Sequence, residues 1–251
     1  MDGREWTMEF HNTYEDTTRA SAYDELELGG TYHLIFRDLP VLLQEHVRGH
    51  GAVDFGCGTG RTARFLGGLG YRTVGLDISD EMVAVARHRD PGGDYRVIEN
   101  GDFSSIPIGG SDLVLSAFTF DNIPGHDRKV RLLTGLRKLL RPTGRLVNIV
   151  STPEIYTNEW VTFSTRDFPE NADARVGDIV RIVTTDYSDG RPVDDILWPD
   201  ENYRDVYREA GLEIEQVERP LALGNEGVSW ISETEIAPWA IYVLKPTDTQ
   251  R

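Results

Sequence analysis

Apolar positions along the chain keep two rhythms. Short runs at Ala52–Phe55, Thr73–Leu76, Tyr95–Glu99, Leu113–Ser116 and Arg145–Val150 have the length of strands and are bounded by turn-forming residues. Between them the spacing becomes helical. Arg61–Leu69 is amphipathic. Ser79 is a good N-cap, with Asp80 and Glu81 in the first turn behind it. From about Asp127 to Leu140, Val130, Leu133, Leu136 and Leu140 share one face, and Pro142 and Gly144 end that helix. Nearer the C-terminus, Tyr203, Val206, Tyr207 and Ala210 fall at i, i+3, i+4 and i+7, with Gly211 as the stop. Glu213–Val217 and Trp239–Leu244 are the last strands. This alternation predicts an α/β fold with a largely parallel sheet and helices on both faces.

Two regions fall outside the alternation. Residues 1–50 read as mostly helical, with Pro40 opening a segment whose apolar positions include Leu42, Leu43 and Val47. Residues 152–199 are an insertion after the fifth strand. Its second half reads as a hairpin: residues 179–183 are strand-like, Asp189-Gly190 is a turn signal, and Pro192 moves the returning strand to an edge. The insertion also holds Tyr156, Trp160, Phe163, Phe168, Tyr187 and Trp198. Such density suits a lid over an apolar or planar ligand, or a small core of the insertion's own.

The run VDFGCGTG at 53–60 carries the chemistry. A strand ends in Asp54 and breaks into a turn where Gly56, Gly58 and Gly60 alternate, just before a helix. Such a turn brings a ligand close to main chain at a helix N-terminus. A dinucleotide fingerprint needs G-x-G-x-x-G, and here the third glycine is one residue early. A P-loop needs a lysine that the turn lacks. Asp77 ends the next strand, where a carboxylate can accept from both ribose hydroxyls. The pair suits a nucleoside whose adjoining group is not a pyrophosphate.

With this turn, four further segments resemble the class I S-adenosylmethionine-dependent methyltransferases: GLDIS at 75–79, GDF at 101–103, DLVLS at 112–116 and LRPTGRLVNIV at 140–150. The resemblance runs from about residue 51 onward. It implies a Rossmann-like sheet of seven strands, one of them antiparallel near the edge. It implies a single domain over 1–251: an N-terminal helical lid at 1–50, a core at 51–151 and 200–251, and a substrate-side insertion at 152–199. S-adenosylmethionine is the implied cofactor and S-adenosylhomocysteine its product.

The resemblance also assigns residues. Gly56, Cys57, Gly58 and Gly60 would line the methionine portion, and Asp54 would reach its ammonium group or tie down the turn. Asp77 and Ile78 fall at the ribose. Gly101, Asp102 and Phe103 fall at the adenine, with Met82 either touching that ring or in the core. Ser116 and Ala117 fall beside the sulfonium. Tyr32 or Arg37 would meet the cofactor carboxylate. The acceptor side falls to Phe118, Phe120 and Asn122, to Tyr14, and to Trp160 and Trp198 of the insertion. Asp121, His126 and His33 are candidate proton acceptors, needed only if the acceptor starts protonated. Aromatic packing and a turn are the other reading of 116–124, and a solvated cap the other reading of His126.

Composition narrows the partners. A chain of 251 residues with 39% hydrophobic content supports one large α/β core. A net charge of −16 repels phosphate backbones, so a nucleic-acid acceptor is disfavoured. No apolar run reaches membrane-spanning length, and the acidic N-terminal stretch lacks a secretory pattern, so a cytoplasmic location is expected. Cys57 is the single cysteine, which excludes an intramolecular disulfide and a cysteine-cluster metal site; no metal is expected. Taken with the resemblance, which implies methyl transfer by in-line displacement, these features favour N or O of a small molecule as the acceptor. An NAD-type oxidoreductase on the same alternation, and a cofactor-binding module without turnover, are the alternatives.

Overall fold

Alternate residues of each central strand enter different cores. Leu113, Leu115, Val147, Ile149, Ile241 and Val243 face one side of the sheet, and Val114, Leu146, Val150, Ala240, Tyr242 and Leu244 the other. A strand buried on both faces reads as a continuous apolar run, which is why these segments show no polar alternation. The structure is a computed structural model that describes residues 29–99, 101–185 and 190–247.

The main sheet has seven strands in the order β3-β2-β1-β4-β5-β10-β9. They are β1 (Gly51–Phe55), β2 (Arg72–Asp77), β3 (Asp94–Val97), β4 (Ser111–Ala117), β5 (Leu140–Ser151), β9 (Leu212–Glu218) and β10 (Trp239–Pro246). β10 alone runs antiparallel to its neighbours. The chain order reverses between β1 and β4, and the loops at the carboxyl ends of these strands open a crevice there.

Among the described residues five α-helices accompany the sheet: α1 (His33–His46), α2 (Arg61–Gly68), α3 (Asp80–Arg89), α4 (His126–Leu139) and α5 (Asp200–Glu209). Ile35, Phe36, Leu39 and Leu43 of α1 pack on one face with Leu66 of α2. Leu132, Leu133 and Leu136 of α4 and Val206 and Tyr207 of α5 pack on the other. No helix among the described residues is long and apolar enough to cross a membrane.

Three expectations change. Pro40 lies inside α1 rather than opening a helix, and Ile35, Leu39 and Leu43 pack α1 into the core. Residues 1–28, which carry Tyr14, lie outside the described residues. α4 does not stop at Pro142 and Gly144: Leu140 leaves the helix directly into β5, and a register shift opposite Ser111–Leu113 absorbs those two residues. The insertion forms a small sheet β6-β7-β8, with β7 (Ile179–Thr184) and β8 (Val193–Ile196) antiparallel as expected and β6 (Phe163–Ser164) added. Asp189 of the anticipated turn and Tyr187 lie outside the described residues.

Gly75 in β2 shows how tightly the crevice floor is packed. A Cβ there would stand 2.7 Å from the Tyr95 ring and 2.9 Å from the Cys57 sulfur. Gly75→Ala is expected to destabilise the protein by about 1–3 kcal/mol through overpacking. A lower urea midpoint at unchanged slope is the measurement; an unchanged midpoint would show that Tyr95 yields freely.

Candidate functional site: a glycine-turn crevice beside an acidic aromatic cavity

β1 delivers Asp54 into the floor of the crevice, where it is 1% exposed. Its carboxylate accepts from the Ala63 N–H in the first turn of α2, while Oδ2 has no hydrogen-bond partner. Burial first, and then the charge of Asp77, push its pKa up to about 7, against the pull of the Ala63 N–H and Arg61. The Ser116 hydroxyl at the end of β4 and the Thr59 hydroxyl in the turn are also buried without a partner. Buried polar atoms are rarely left so, and these three surround the carboxyl ends of β1 and β4.

The glycines above Asp54 take positive φ, 72° at Gly56, 51° at Gly58 and 81° at Gly60. At Gly56 a Cβ would lie 2.1 Å from the Thr119 hydroxyl, so only glycine fits against the loop after β4. The Gly56 and Cys57 N–H groups donate to the Leu76 carbonyl at 2.8 and 3.0 Å. Asp77 closes the arrangement: its Oδ2 accepts from Gly58 N–H at 2.8 Å and its Oδ1 from Ser79 N–H at 2.9 Å. Each oxygen keeps a second lone pair for a ligand hydroxyl. Burial raises the Asp77 pKa.

Arg61, at the first position of α2, lies between Asp54 and the N-terminal segment. Its guanidinium is 4.4 Å from the centre of the Tyr32 ring. Arg37 is placed differently from expectation. It is held by Asp38 at 2.7 and 2.8 Å, Glu226 at 3.1 Å and the Leu221 carbonyl at 3.0 Å, so its donors serve the 221–226 loop. Arg61 and Arg64 both stand beside the glycine turn, Arg64 donating to the Thr59 carbonyl at 2.7 Å, and the place of Arg61 at a helix start just past the third glycine was a usable signal.

Other assignments divide. Ile78 is half-buried next to Asp77, packed against the core below. Met82 is buried in the first turn of α3, where Ser79 Oγ caps its N–H at 3.2 Å. The Cys57 sulfur is turned away from the crevice into a small core with Ala63, Val83, Ala86 and Tyr95, and burial pushes its pKa well up; only its backbone serves the turn. Gly101 and Asp102 are exposed beyond β3, and the Asp102 carboxylate, accepting from Ser104 N–H at 2.8 Å, sits below the usual range. The Phe103 ring is spent on packing: it meets Phe55 edge-on at 5.8 Å, and a Cβ on Gly135 would strike it. Ala117 is half-buried at the end of β4.

A cavity of about 60 Å³ adjoins the crevice. Its aromatic walls are Tyr32, Phe118, Phe163 and Trp239. Tyr32 stacks on Trp239 at 5.2 Å, and Phe118 lies 5.6 Å from Tyr32 and 5.1 Å from Trp239. Phe118 has φ 63°, the one positive value outside glycine among the described residues. Strain of this kind is kept where a site needs a side chain in one place. Phe118 faces the cavity while the next residue, Thr119, seats against Gly56, so one short loop joins cavity to crevice.

Asp121, Asn122 and Asp195 supply the cavity's acidic side. Asp121 accepts from Ser151 N–H at 3.1 Å and from the Tyr203 hydroxyl at 3.4 Å. Asp195 accepts from Asn122 Nδ2 at 2.5 Å and from the Tyr156 hydroxyl at 3.0 Å. Burial pushes Asp121 up to about 6 and Asp195 up to about 7. Lys129, fully buried on α4, donates to the Phe120 carbonyl and attracts both acids; burial pushes it down to about 7. Neither Asp195 nor Lys129 was anticipated. Lys129 occupies the apolar stripe of its helix with Leu132, Leu133 and Leu136, which was the available signal; nothing in the local pattern marks Asp195.

Several anticipated substrate residues lie elsewhere. Phe120 is fully buried on the opposite face of the sheet, 5.9 Å from Phe55. Trp160 is core of the insertion, its indole N–H donating to the Ile155 carbonyl at 2.9 Å. Trp198 lies 5.0 Å from the Lys129 ammonium and borders a second cavity near the start of α5. His126 meets Glu209 at 3.0 Å at the surface, and His33 begins α1; neither lines the cavity beside the crevice.

This fold and crevice define a doubly wound α/β protein with a glycine-rich turn at the point where the strand order reverses. Residues 53–148 match the family described as the methyltransferase domain. An uncharacterized methyltransferase of Alkaliphilus oremlandii is 24% identical over 54% of this chain, which spans 61% of that protein's length. A dTDP-3-amino-3,6-dideoxy-alpha-D-glucopyranose N,N-dimethyltransferase of Streptomyces fradiae is 33% identical over 32% of this chain and 31% of its own. The crystal structure of DesVI from Streptomyces venezuelae shares the fold, with a TM-score of 0.63 and 19% identity over 91% of this chain and 98% of that one. Residues 53–148 thus carry a methyltransferase domain, and the relatives and the shared fold support a class I S-adenosylmethionine-dependent methyltransferase.

Proposed function

We propose that the protein methylates a nitrogen or oxygen of a small molecule bound in the cavity beside the glycine turn. The observation that carries this reading is the adjacency of two unlike sites. One is a crevice whose orphaned buried atoms suit a nucleoside with an amino-acid tail. The other is an aromatic cavity joined to it through Phe118 and Thr119.

Asp77 would hold the ribose hydroxyls, Asp54 the ammonium group and Arg61 the carboxylate of S-adenosylmethionine. When bound, that cofactor supplies an electrophilic methyl group on a sulfonium. The protein's part is mostly orientation, which can contribute roughly 7–11 kcal/mol toward such a barrier. Tyr32, Phe118 and Trp239 exclude water and fix the acceptor, and Asp121 or Asp195 receives a proton where the acceptor carries one. The net charge of −16 supports a small acceptor over a nucleic acid. The Streptomyces fradiae relative is named for methylation of an amino-sugar nitrogen, and a Burkholderia vietnamiensis relative for ubiquinone O-methylation, so both acceptor atoms have precedent.

The test is calorimetry with S-adenosylhomocysteine and with NAD, followed by transfer of labelled methyl from S-adenosylmethionine into pools of small metabolites. Binding of S-adenosylhomocysteine with label in a low-mass product is expected. Preference for NAD would overturn the cofactor assignment. Bound cofactor with no labelled product from any pool would overturn turnover.

A further inference from the structure

We propose that the cavity between the glycine-turn crevice and the insertion is an ammonium site, so that the acceptor is an amine, with Asp195 its principal charge partner. This rests on the methyltransferase reading above and narrows its acceptor class.

Two independent features agree. Rings of Tyr32, Phe118, Phe163 and Trp239 wall the cavity, with centroid spacings of 5.1 to 6.0 Å among the contacting pairs. Several ring faces around a small space attract a cation and give little preference to a neutral hydroxyl. Asp121 and Asp195 border the same space, both more than nine-tenths buried, and among the described residues no cationic side chain is one of its walls. Lys129 donates to the Phe120 carbonyl and attracts both acids, so two acids share one ammonium, while Arg61 lies over the Tyr32 ring at 4.4 Å. An anionic acceptor would meet uncompensated carboxylates; an ammonium would complete the cluster. About 60 Å³ admits an amino head group rather than a whole extended ligand.

The partners of each acid separate their roles. Asp121 is tied to the Ser151 N–H and Tyr203, which belong to the core sheet and α5. Asp195 comes from the insertion and is held by Asn122 and Tyr156. The insertion thereby sets acceptor class while the core sets cofactor class. An ammonium N–H proton passing to an Asp195 carboxylate oxygen leaves a neutral amine, with its lone pair available, and a carboxylic acid still hydrogen-bonded to its neighbours.

Cyclohexylamine, cyclohexanol and cyclohexanecarboxylate are matched probes. Their affinities are measured by calorimetry on the full chain saturated with S-adenosylhomocysteine. The amine is expected to bind at least about tenfold tighter than the alcohol, with the carboxylate weakest. Asp195→Asn is expected to remove that preference. Its melting temperature and its binding of S-adenosylhomocysteine report that it is folded. Asp121→Asn provides a second variant, expected to reduce the preference less. Equal or tighter binding of the alcohol or the carboxylate overturns the proposal, as does a preference retained in Asp195→Asn. Failure of the amine to bind while S-adenosylhomocysteine binds overturns the ammonium site alone. Failure of S-adenosylhomocysteine itself overturns the underlying cofactor reading.

Discussion

Asp77→Ala is expected to weaken S-adenosylhomocysteine binding by about 1.5–3 kcal/mol, roughly ten- to a hundredfold, the scale of hydrogen bonds to a charged group. Two effects act in the same direction. The carboxylate holds Gly58 N–H and Ser79 N–H at 2.8 and 2.9 Å, so its loss loosens the glycine turn before any ligand arrives. Its remaining lone pairs are the acceptors offered to ribose hydroxyls at the end of β2. Asp77→Asn separates the two, because an amide keeps the volume but loses one acceptor oxygen. It should retain more of the fold's stability than alanine and still bind weakly. Calorimetry with thermal melts of the unliganded protein distinguishes them. Unchanged S-adenosylhomocysteine affinity in Asp77→Ala would remove Asp77 from the ribose site.

The crevice was readable because its chemistry is local. Asp54, the three glycines and Asp77 fall at the ends of two consecutive strands, and the backbone conformations they require single out glycine. The sheet was readable because strands buried on two faces are uniformly apolar. The acceptor side was not, for two physical reasons. Its walls come from Tyr32, Phe118, Phe163, Asp195 and Trp239, which meet only through tertiary packing. In addition, an aromatic side chain in a strand or loop serves core and cavity equally well until its facing is known. Phe118 and Phe120 show this: two residues apart, one borders the cavity and the other is fully buried against the far face of the sheet. Arg37 is divided: its shorter partner Asp38 is the next residue, while Glu226 and the Leu221 carbonyl, which fix it to the 221–226 loop, lie far along the chain.

Lys129→Met is expected to cost about 3–5 kcal/mol of stability at pH 7, the scale of removing one partner from a buried ion cluster. Methionine nearly matches the volume, so the loss reports charge rather than a cavity. With the ammonium gone, Asp121 and Asp195 face each other's charge without compensation, and the Phe120 carbonyl loses its donor. The pH dependence has a definite sign. Burial already raises both acids, to about 6 and about 7, above their unfolded values near 4. The folded state therefore binds more protons than the unfolded chain across that window, and stability from these groups falls as pH rises. Removing Lys129 raises both acids further and steepens the fall. At pH 5 the acids are largely protonated, and a buried lysine without ionised partners is itself a cost, so the variant should approach or exceed the wild type there. Urea melts at pH 5 and pH 7 measure this directly; an equal loss at both would assign Lys129 to packing and to the Phe120 carbonyl alone. The same charge argument extends to the acceptor cavity. If an ammonium ligand completes the acidic pair, cyclohexylamine should restore more stability at pH 7 to Lys129→Met than to the wild type, because the variant has lost the cation that otherwise partly compensates the same two acids.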